Sequence, residues 1–175
     1  MDDLKKKIRS VPDFPKPGVM FRDITTLLKD PSGLREVMEY FNIRYKGRKI
    51  DKIVSIESRG FVFGAALAYM LGVGFVPIRK ANKLPAHTRR IDYALEYGTD
   101  SLEIHTDAII PGEKILIVDD LLATGGTMKA AIQLIESLGG SVIECAFLIE
   151  LPGLNGREKI ADYNTFSLVT FKDNE

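Results

Sequence analysis

The chain has 175 residues, of which 45% are hydrophobic, and its 24 Lys and Arg residues balance 24 Asp and Glu residues. This length and apolar content suit one globular domain, and the balanced charge gives no general attraction to nucleic acid or to a membrane surface. No apolar run is long enough to span a bilayer, and the first residues lack a signal-peptide core. A single cysteine, Cys145, offers neither a disulfide framework nor a metal cluster. We therefore expect a cytoplasmic protein with Cys145 in its core.

The first predicted elements are a short charged helix over residues 3–10 and an irregular segment over residues 11–23. Three prolines and a glycine forbid regular structure in the second segment, and large apolar side chains are interleaved with them. Apolar groups on a stiff, non-helical segment usually lie against the rest of the domain. The segment is therefore predicted either to cover the core or to form a lid over a flat aromatic ligand.

The next elements alternate between helices and strands. A helix opens at Asp30, a strand over residues 53–56 leads through a polar turn to an apolar helix over residues 61–71, and a further strand covers residues 75–78. Polar turns that follow parallel strands face one crevice, where ligands of open α/β sheets bind. Arg59 in the polar turn is placed either to grip a phosphate group or to form a structural ion pair.

A basic stretch follows this part of the chain. Residues 79–90 are rich in Lys, Arg and His, and residues 91–97 and 102–105 flank Gly98 as a predicted β-hairpin. Such an excursion is by default a solvated loop, and its position beside a crevice makes it a candidate anion-binding segment. His87 and His105 give no specific signal, and we expect both on the surface.

The pattern around which the chain is organised runs from Ile115 to Thr127. Four aliphatic residues predict a central parallel strand, Asp119 and Asp120 follow it, and a Gly-rich turn leads into a helix that ends near Gly139. Free amides at the start of a helix, with Thr127 as the expected N-cap, suit a phosphate.

The two carboxylates need a separate role, because each would repel a phosphate by about 4 kcal/mol at a separation of about 4 Å. Carboxylates accept hydrogen bonds from sugar hydroxyls, or they hold a hydrated Mg²⁺. A ligand with a diol at one end and a phosphate at the other meets both demands, and ribose 5-phosphate is such a ligand.

The last predicted elements are a strand over residues 141–150, a short helix or turn over residues 155–161 and a final strand over residues 165–171. Together the elements predict an α/β fold with a mainly parallel, twisted sheet and helices on both faces. A single domain is expected over residues 1–175. It would comprise a small N-terminal hood over about residues 1–30 and a core over about residues 31–175, which includes a flexible hairpin loop at about residues 80–106.

The string Asp-Asp-Leu-Leu-Ala-Thr-Gly-Gly-Thr at residues 119–127 resembles the signature with which type I phosphoribosyltransferases bind phosphoribosyl pyrophosphate (PRPP), in the form found in adenine phosphoribosyltransferases. Residues 14–23 resemble the hood of that family, and residues 57–61 resemble its pyrophosphate loop. The resemblance implies the type I phosphoribosyltransferase fold and transfer of the 5-phosphoribosyl group from PRPP to adenine, giving AMP and pyrophosphate. It also implies a homodimer and Mg²⁺ held mainly through PRPP and water, without a direct protein ligand.

The resemblance assigns roles residue by residue. Adenine would stack on Phe21, with the backbones of Met20 (often Val in the family) and Arg22 reading its edge and Leu151 against it. PRPP and AMP would be bound by the signature, the pyrophosphate loop and the basic loop, namely Asp119, Asp120, Ala123, Thr124, Gly125, Gly126, Thr127, Glu57, Ser58, Arg59, Arg79, Lys80, Lys83 and Tyr97. A cis peptide is expected between Glu57 and Ser58. Glu96 is the candidate general acid–base at the purine, and Arg59 is the second catalytic candidate.

Position 123 bears on the choice of base. Hypoxanthine–guanine relatives carry an Asp at this position that handles the N7 proton of the purine, and Ala123 cannot do so. This argues against 6-oxopurines. Two alternatives stay open: a regulatory protein of the same fold that senses PRPP or a nucleotide, and a phosphoribosyltransferase for another base such as xanthine. A regulator would be expected to carry a DNA-binding appendage or a basic face, and neither is apparent in the sequence.

Overall fold

The computed structural model describes residues 2–94 and 98–172. Its α-helices are α1 (Asp2–Lys6), α2 (Thr25–Leu28), α3 (Pro31–Tyr45), α4 (Arg59–Leu71) and α5 (Gly126–Ser137). Its strands are β1 (Arg9–Val11), β2 (Phe21–Asp23), β3 (Lys52–Ile56), β4 (Gly74–Lys80), β5 (Thr88–Ala94), β6 (Thr99–His105), β7 (Lys114–Leu122), β8 (Ser141–Glu150) and β9 (Thr165–Thr170). Two 3₁₀ segments, Pro152–Leu154 and Gly156–Ile160, connect β8 to β9.

The main sheet has seven strands in the order β5-β6-β4-β3-β7-β8-β9. The five strands from β4 to β9 in that order pair in parallel, and the antiparallel hairpin β5-β6 extends the sheet at one edge. The predicted α/β class and the predicted hairpin are both confirmed. Among the described residues, no helix combines the length and the apolar character that crossing a membrane requires.

The central strand β7 is buried on both faces because its side chains alternate between two apolar layers. Leu116 and Val118 pack in the layer that holds α3 and α4, whereas Ile115 and Ile117 pack in the layer that holds α5. A strand covered on both faces needs a continuous apolar run, which is the pattern that its sequence has. Cys145 is buried on the neighbouring strand β8, as expected.

The N-terminal region differs from the prediction. Helix α1 ends at Lys6, and residues 9–11 form a strand that pairs with β2, with Arg9 opposite Asp23 and Val11 opposite Phe21. The prolines do not prevent this pairing, because they all lie in the connection between the two strands. The hood is therefore a two-stranded antiparallel sheet followed by the short helix α2, neither of which was predicted.

His105 is not the surface residue that the sequence predicts. It is partly buried, because its strand β6 lies between β4 and β5, and its Nε2 atom is enclosed without a hydrogen-bond partner among residues 2–94 and 98–172. His87, by contrast, is exposed as expected.

Candidate active site

Three neighbouring cavities lie at the carboxyl edge of the sheet. The hood cavity, about 400 Å³, lies between the hood and Arg59 and is lined mainly by apolar side chains such as Val11, Phe14 and Phe21. The polar crevice, about 360 Å³, is lined by residues that include Glu57, Arg59, Asp119 and Thr127. The cradle, residues 123–127, encloses a further cavity of about 70 Å³. Arg59 lines both the hood cavity and the polar crevice. Asp119, Ala123 and Thr127 line both the polar crevice and the cavity enclosed by the cradle.

The cradle is formed by backbone at the start of α5. Gly125 is the N-cap, with a φ of 78° that favours glycine, and the helix begins at Gly126. The prediction that Thr127 caps the helix is wrong, because the turn tightens two residues earlier than the side-chain pattern indicates. The first amides of a helix have no acceptor within the helix, so those of the cradle are available to an anion.

Asp119 and Asp120 lie within the end of β7, which continues to Leu122 instead of ending before them. The backbone amide of Asp120 donates to Oδ1 of Asp119 over 2.9 Å, and Oδ2 of Asp120 forms an ion pair with Nε of Arg59 at 2.7 Å. Burial of its carboxyl and the charge of Asp120 raise the pKa of Asp119 well above its usual range. Burial also raises the pKa of Asp120, although the Arg59 guanidinium opposes this shift.

Helix α4 approaches the carboxylates closely through Gly60. A β-carbon on Gly60 would lie 2.5 Å from Oδ1 of Asp119 and 3.2 Å from the carbonyl oxygen of Val118, so a larger residue would displace either this carboxylate or the helix. This contact places Arg59, the first residue of α4, over the second carboxylate.

The polar turn before α4 contains the predicted cis peptide between Glu57 and Ser58. The carboxylate of Glu57 accepts hydrogen bonds from Nε of Arg79 at 2.7 Å and from Nζ of Lys83 at 2.9 Å. Burial acts to raise the pKa of Glu57, but the hydrogen bonds from Lys83 and Arg79 outweigh it and hold the pKa below its usual value. Glu57 is therefore a charged carboxylate that binds two of the predicted phosphate-binding cations.

Two other predicted cations also have carboxylate partners. Lys80 pairs with Asp100 at 3.0 Å, and Arg59 pairs with Asp120 while its guanidinium lies 5.5 Å from the centre of the Phe21 ring. Sequence analysis gave two interpretations of Arg59, a phosphate-binding group or a member of a structural ion pair, and the structure contains the ion pair. Arg59 links the hood cavity to the polar crevice.

The predicted base-binding residues fall in two different cavities. Phe21 lines the hood cavity, whereas Met20, Arg22 and Leu151 line a second cavity of about 370 Å³ on the other side of the hood strand. The separation follows from the alternation of side chains along β2. The guanidinium of Arg22 lies 4.1 Å from the centre of the Phe171 ring, which fixes the hood against the end of the chain.

Glu96 and Tyr97 lie outside the described residues. Another residue of the hairpin, Tyr93, lines the polar crevice and was missed by sequence analysis. Its hydroxyl accepts a hydrogen bond from Oγ1 of Thr127 at 3.4 Å and donates to Oδ2 of Asp100 at 3.5 Å. The two-residue period of the hairpin could have identified it, because Ile91 and Tyr93 lie on the same face of β5 and pack against the same apolar layer.

Comparison with known proteins agrees with this geometry. Residues 23–175 match the phosphoribosyl transferase domain model. The chain is 61% identical to the adenine phosphoribosyltransferase of Methylobacillus flagellatus, over 99% of both chains.

Solved structures give the same result. The adenine phosphoribosyltransferase of Thermoanaerobacter pseudethanolicus is 54% identical, with a TM-score of 0.94 over 97% of this chain and 99% of the other. The Saccharomyces cerevisiae enzyme, solved with an imino-altritol bisphosphate and adenine, is 41% identical, with a TM-score of 0.92 over 95% and 97% of the two chains. The chain therefore belongs to the phosphoribosyl transferase family, and within it to the adenine phosphoribosyltransferases.

Proposed function

We propose that the three neighbouring cavities hold the base, the ribose and the 5-phosphate of one nucleotide in that order. The observation that carries this proposal is their connection, since Arg59 borders the first two cavities and Asp119, Ala123 and Thr127 border the last two. An apolar slot, a pair of carboxylates and a ring of backbone amides match in turn an aromatic base, a diol and a phosphate. The Saccharomyces cerevisiae relative, solved with adenine and a bisphosphate, carries ligands of this chemistry.

Adenine is proposed to stack on the ring of Phe21 in the hood cavity, which Arg59 also lines. The side chains of Met20 and Arg22 point away from the hood cavity, so these residues would read the edge of the base through their backbones alone. Leu151 lines the cavity on the other side of the strand, and its contact with the base stays a prediction.

The reaction breaks the bond between C1 of the ribose and the pyrophosphate, and positive charge develops on the sugar ring. Asp119 and Asp120 would fix the ribose hydroxyls, and the cradle would fix the 5-phosphate, which together position C1 against the base. Arg59, Arg79, Lys80 and Lys83, with the backbone of the Glu57–Ser58 peptide, would stabilise the charge on the departing pyrophosphate. For Arg79 and Lys83, this requires exchange of the Glu57 carboxylate for phosphate oxygens.

Glu96 is proposed as the general acid–base at the purine, and Tyr97 as a further PRPP-binding residue. In sequence, both fall between β5, which carries Tyr93, and β6, which carries Asp100, and these two residues line the polar crevice. Closure of this hairpin over the crevice would exclude water, which would otherwise hydrolyse the cationic sugar. Glu96→Ala is expected to lower kcat more than it weakens PRPP binding, and comparable losses in both would contradict the acid–base role.

Mg²⁺ is part of the proposal as an ion that arrives with PRPP. Asp119 and Asp120 offer the oxygen ligands that Mg²⁺ prefers, but Asp120 is paired with Arg59. The described residues contain no group of three or more His, Cys, Asp or Glu side chains that could hold a metal ion. This donor set fits an ion bound mainly through PRPP and water, which supplies charge neutralisation on the pyrophosphate.

A homodimer is also proposed. The exposed face of α4 carries Val62, Tyr69 and Met70, and the adjacent helix α3 exposes Tyr40 and Ile43. Tyr69 is 89% exposed, and a second copy of the chain would cover these apolar groups. We expect Tyr69→Glu to shift the sedimentation coefficient towards that of a monomer.

The proposed location is the cytoplasm, since PRPP and AMP carry several charges and do not cross a bilayer unaided.

The base preference is tested by incubating the pure protein with PRPP, Mg²⁺ and adenine, hypoxanthine, guanine or xanthine in turn. We expect a nucleotide product with adenine alone, because Ala123 provides no group for a 6-oxopurine. A comparable rate with xanthine would favour the alternative transferase. Binding of PRPP or AMP without turnover of any base would favour a nucleotide sensor.

A further inference from the structure

We propose that Gly156, held in place by the ion pair between Glu150 and Arg157, is a buttress that fixes the conformation of the cradle. Neither Gly156 nor this ion pair belongs to the PRPP signature, and sequence analysis gave neither a role. The inference rests on the proposed role of the cradle in binding the 5-phosphate. The three positioning residues are Gly156, Glu150 and Arg157, and they act on the ligand through residues 123–125.

The first observation is a contact between two backbone segments. A β-carbon on Gly125 would lie 2.4 Å from the carbonyl oxygen of Gly156. A β-carbon on Gly156 would lie 2.2 Å from the carbonyl oxygen of Ala123 and 3.0 Å from Cδ1 of Leu122. Both glycines are buried, so neither position has open space for an added methyl group. The backbone around Gly156 is therefore the surface on which the cradle rests.

The second observation is how the supporting segment is itself fixed. Nε and Nη2 of Arg157 donate to the two carboxylate oxygens of Glu150 at 2.6 Å and 2.7 Å, in a bidentate geometry. Nη1 of Arg157 also donates to the carbonyl oxygen of Thr165 at 3.0 Å. One guanidinium thus joins the end of β8, the start of β9 and the 3₁₀ segment that contains Gly156.

The third observation concerns the carboxylate. The side chain of Glu150 is 8% exposed, and its strand is joined to β7 beside the cradle, where the amide of Leu151 donates to the carbonyl oxygen of Leu122 at 3.0 Å. Loss of Arg157 would leave a buried charge without its partner, which is costly. We therefore expect the segment to shift when the pair is broken, and the cradle to shift with it.

The test compares AMP with adenosine as probes, because the two differ only in the 5-phosphate. Dissociation constants are measured by calorimetry or competition for the full-length protein and for Gly156→Ala, Arg157→Lys and Arg157→Ala. A displacement of about 1 Å costs on the order of 10²-fold in well-positioned sites, so we expect Gly156→Ala to weaken AMP binding about tenfold to a hundredfold. Arg157→Ala should weaken it about tenfold and Arg157→Lys less, since Lys keeps the charge but loses the bidentate geometry. Adenosine binding should stay within about twofold of wild type.

Glu144→Gln is the matched control. Glu144 lies on the same strand and is buried to a similar degree, and it pairs with Arg44 at 2.5 Å and with Arg48 at 2.6 Å. Its loss should lower the melting temperature without changing the ratio of AMP to adenosine affinity. This ratio distinguishes a buttress from general destabilisation.

The inference is overturned if AMP affinity is unchanged in the Arg157 variants, or if AMP and adenosine lose affinity equally. If Gly156→Ala does not fold, the Arg157 variants decide the question. Failure of the underlying assignment has a separate signature: a wild-type protein that binds adenosine as tightly as AMP has no phosphate site in the cradle.

Discussion

The two ends of the polar crevice are built in different ways. The cradle consists of consecutive residues, and its backbone at Ala123 and Gly125 is packed directly against the backbone of Gly156. The opposite end is bordered by Glu57, whose carboxylate is held by ion pairs with Arg79 and Lys83. These two cations lie outside the crevice lining, on β4 and on the loop that follows it. Packed backbone cannot rearrange around a new group, whereas partly exposed ion pairs exchange partners readily. Substitutions should therefore cost much more in the cradle than at the ion-paired end.

The largest effect is expected for Gly125→Ala. Its φ of 78° is strained for any residue with a β-carbon, and the added methyl group would overlap the carbonyl oxygen of Gly156. We expect kcat/KM for PRPP to fall by about 10²-fold or more, measured by steady-state kinetics with adenine saturating. Gly126→Ala is the control, since the nearest atom to its β-carbon would be 3.6 Å away. Equal losses for the two variants would contradict the contact argument.

Asp119→Asn should lower kcat/KM by about tenfold to a hundredfold, because a hydrogen bond to a charged group is worth about 1.5–3 kcal/mol. The same change should stabilise the fold at neutral pH. The raised pKa of Asp119 means that its ionised form is disfavoured in the folded state, so removal of the charge is favourable above that pKa.

The melting temperature of Asp119→Asn is expected to exceed that of wild type at pH 8, and the gain should shrink as the pH falls and wild-type Asp119 takes up its proton. Differential scanning calorimetry across pH measures this directly. A gain that grows at acid pH would contradict the raised pKa.

Arg79→Ala tests the ion-paired end of the crevice. Arg79 is part-exposed, so the interaction with pyrophosphate that we propose would be screened, and we expect the KM for PRPP to rise by about tenfold with a smaller change in kcat. The loss should diminish at high salt, since screening weakens the wild-type interaction too. A hundredfold loss, equal to that of the cradle variant, would remove the distinction between the two ends.

Glu57→Gln tests the same end of the crevice by removing the negative charge that pairs with Arg79 and Lys83. Glu57 pairs with Arg79 at 2.7 Å and with Lys83 at 2.9 Å, so a pyrophosphate group that binds these cations as proposed would have to displace it. We expect inhibition by inorganic pyrophosphate to strengthen by about threefold, read from its inhibition constant against PRPP. Weaker inhibition would mean that Glu57 positions the cations for the substrate instead of competing with it.

The smallest effect is expected for Tyr93→Phe. The hydroxyl lies 3.4 Å from Oγ1 of Thr127 and 3.5 Å from Asp100, distances at which hydrogen bonds are weak. The KM for PRPP should rise by about twofold while kcat stays the same. A change in kcat of tenfold would give Tyr93 a larger role than its geometry supports.

Much of the fold could be predicted because local pattern and tertiary environment agree. The apolar run of β7, the strand β8 and the hairpin each have a residue pattern that fits one environment, so all three were predicted as strands. Strand β8 has its predicted bounds, whereas β7 continues four residues beyond its predicted end at Val118 and both hairpin strands begin three residues earlier than predicted. The hood was not predicted as a sheet, because its strands have three residues each and pair with one another across a connection of nine residues. Pairing between separate segments leaves no periodic signal in so short a stretch.

The candidate site also divides into parts that local sequence predicts and parts that depend on contacts between distant residues. Asp119, Asp120 and residues 123–127 lie within one stretch of nine residues, so their proximity is dictated by the chain itself. The pairing of Glu57 with Arg79 and Lys83, the contact of Arg59 with Asp120 and the support of Gly125 by Gly156 all join residues that are far apart in sequence. Residue types indicated the anion-binding character of these regions, but the partners depend on side-chain geometry that no single-sequence pattern encodes.

The most direct test is a crystal structure of the complex with AMP. We expect the 5-phosphate to accept hydrogen bonds from the backbone amides of the cradle, the ribose hydroxyls to meet Asp119 and Asp120, and the base to lie beside Phe21. A phosphate bound between Arg79 and Lys83, with the cradle empty, would contradict the assignment of the two ends of the crevice.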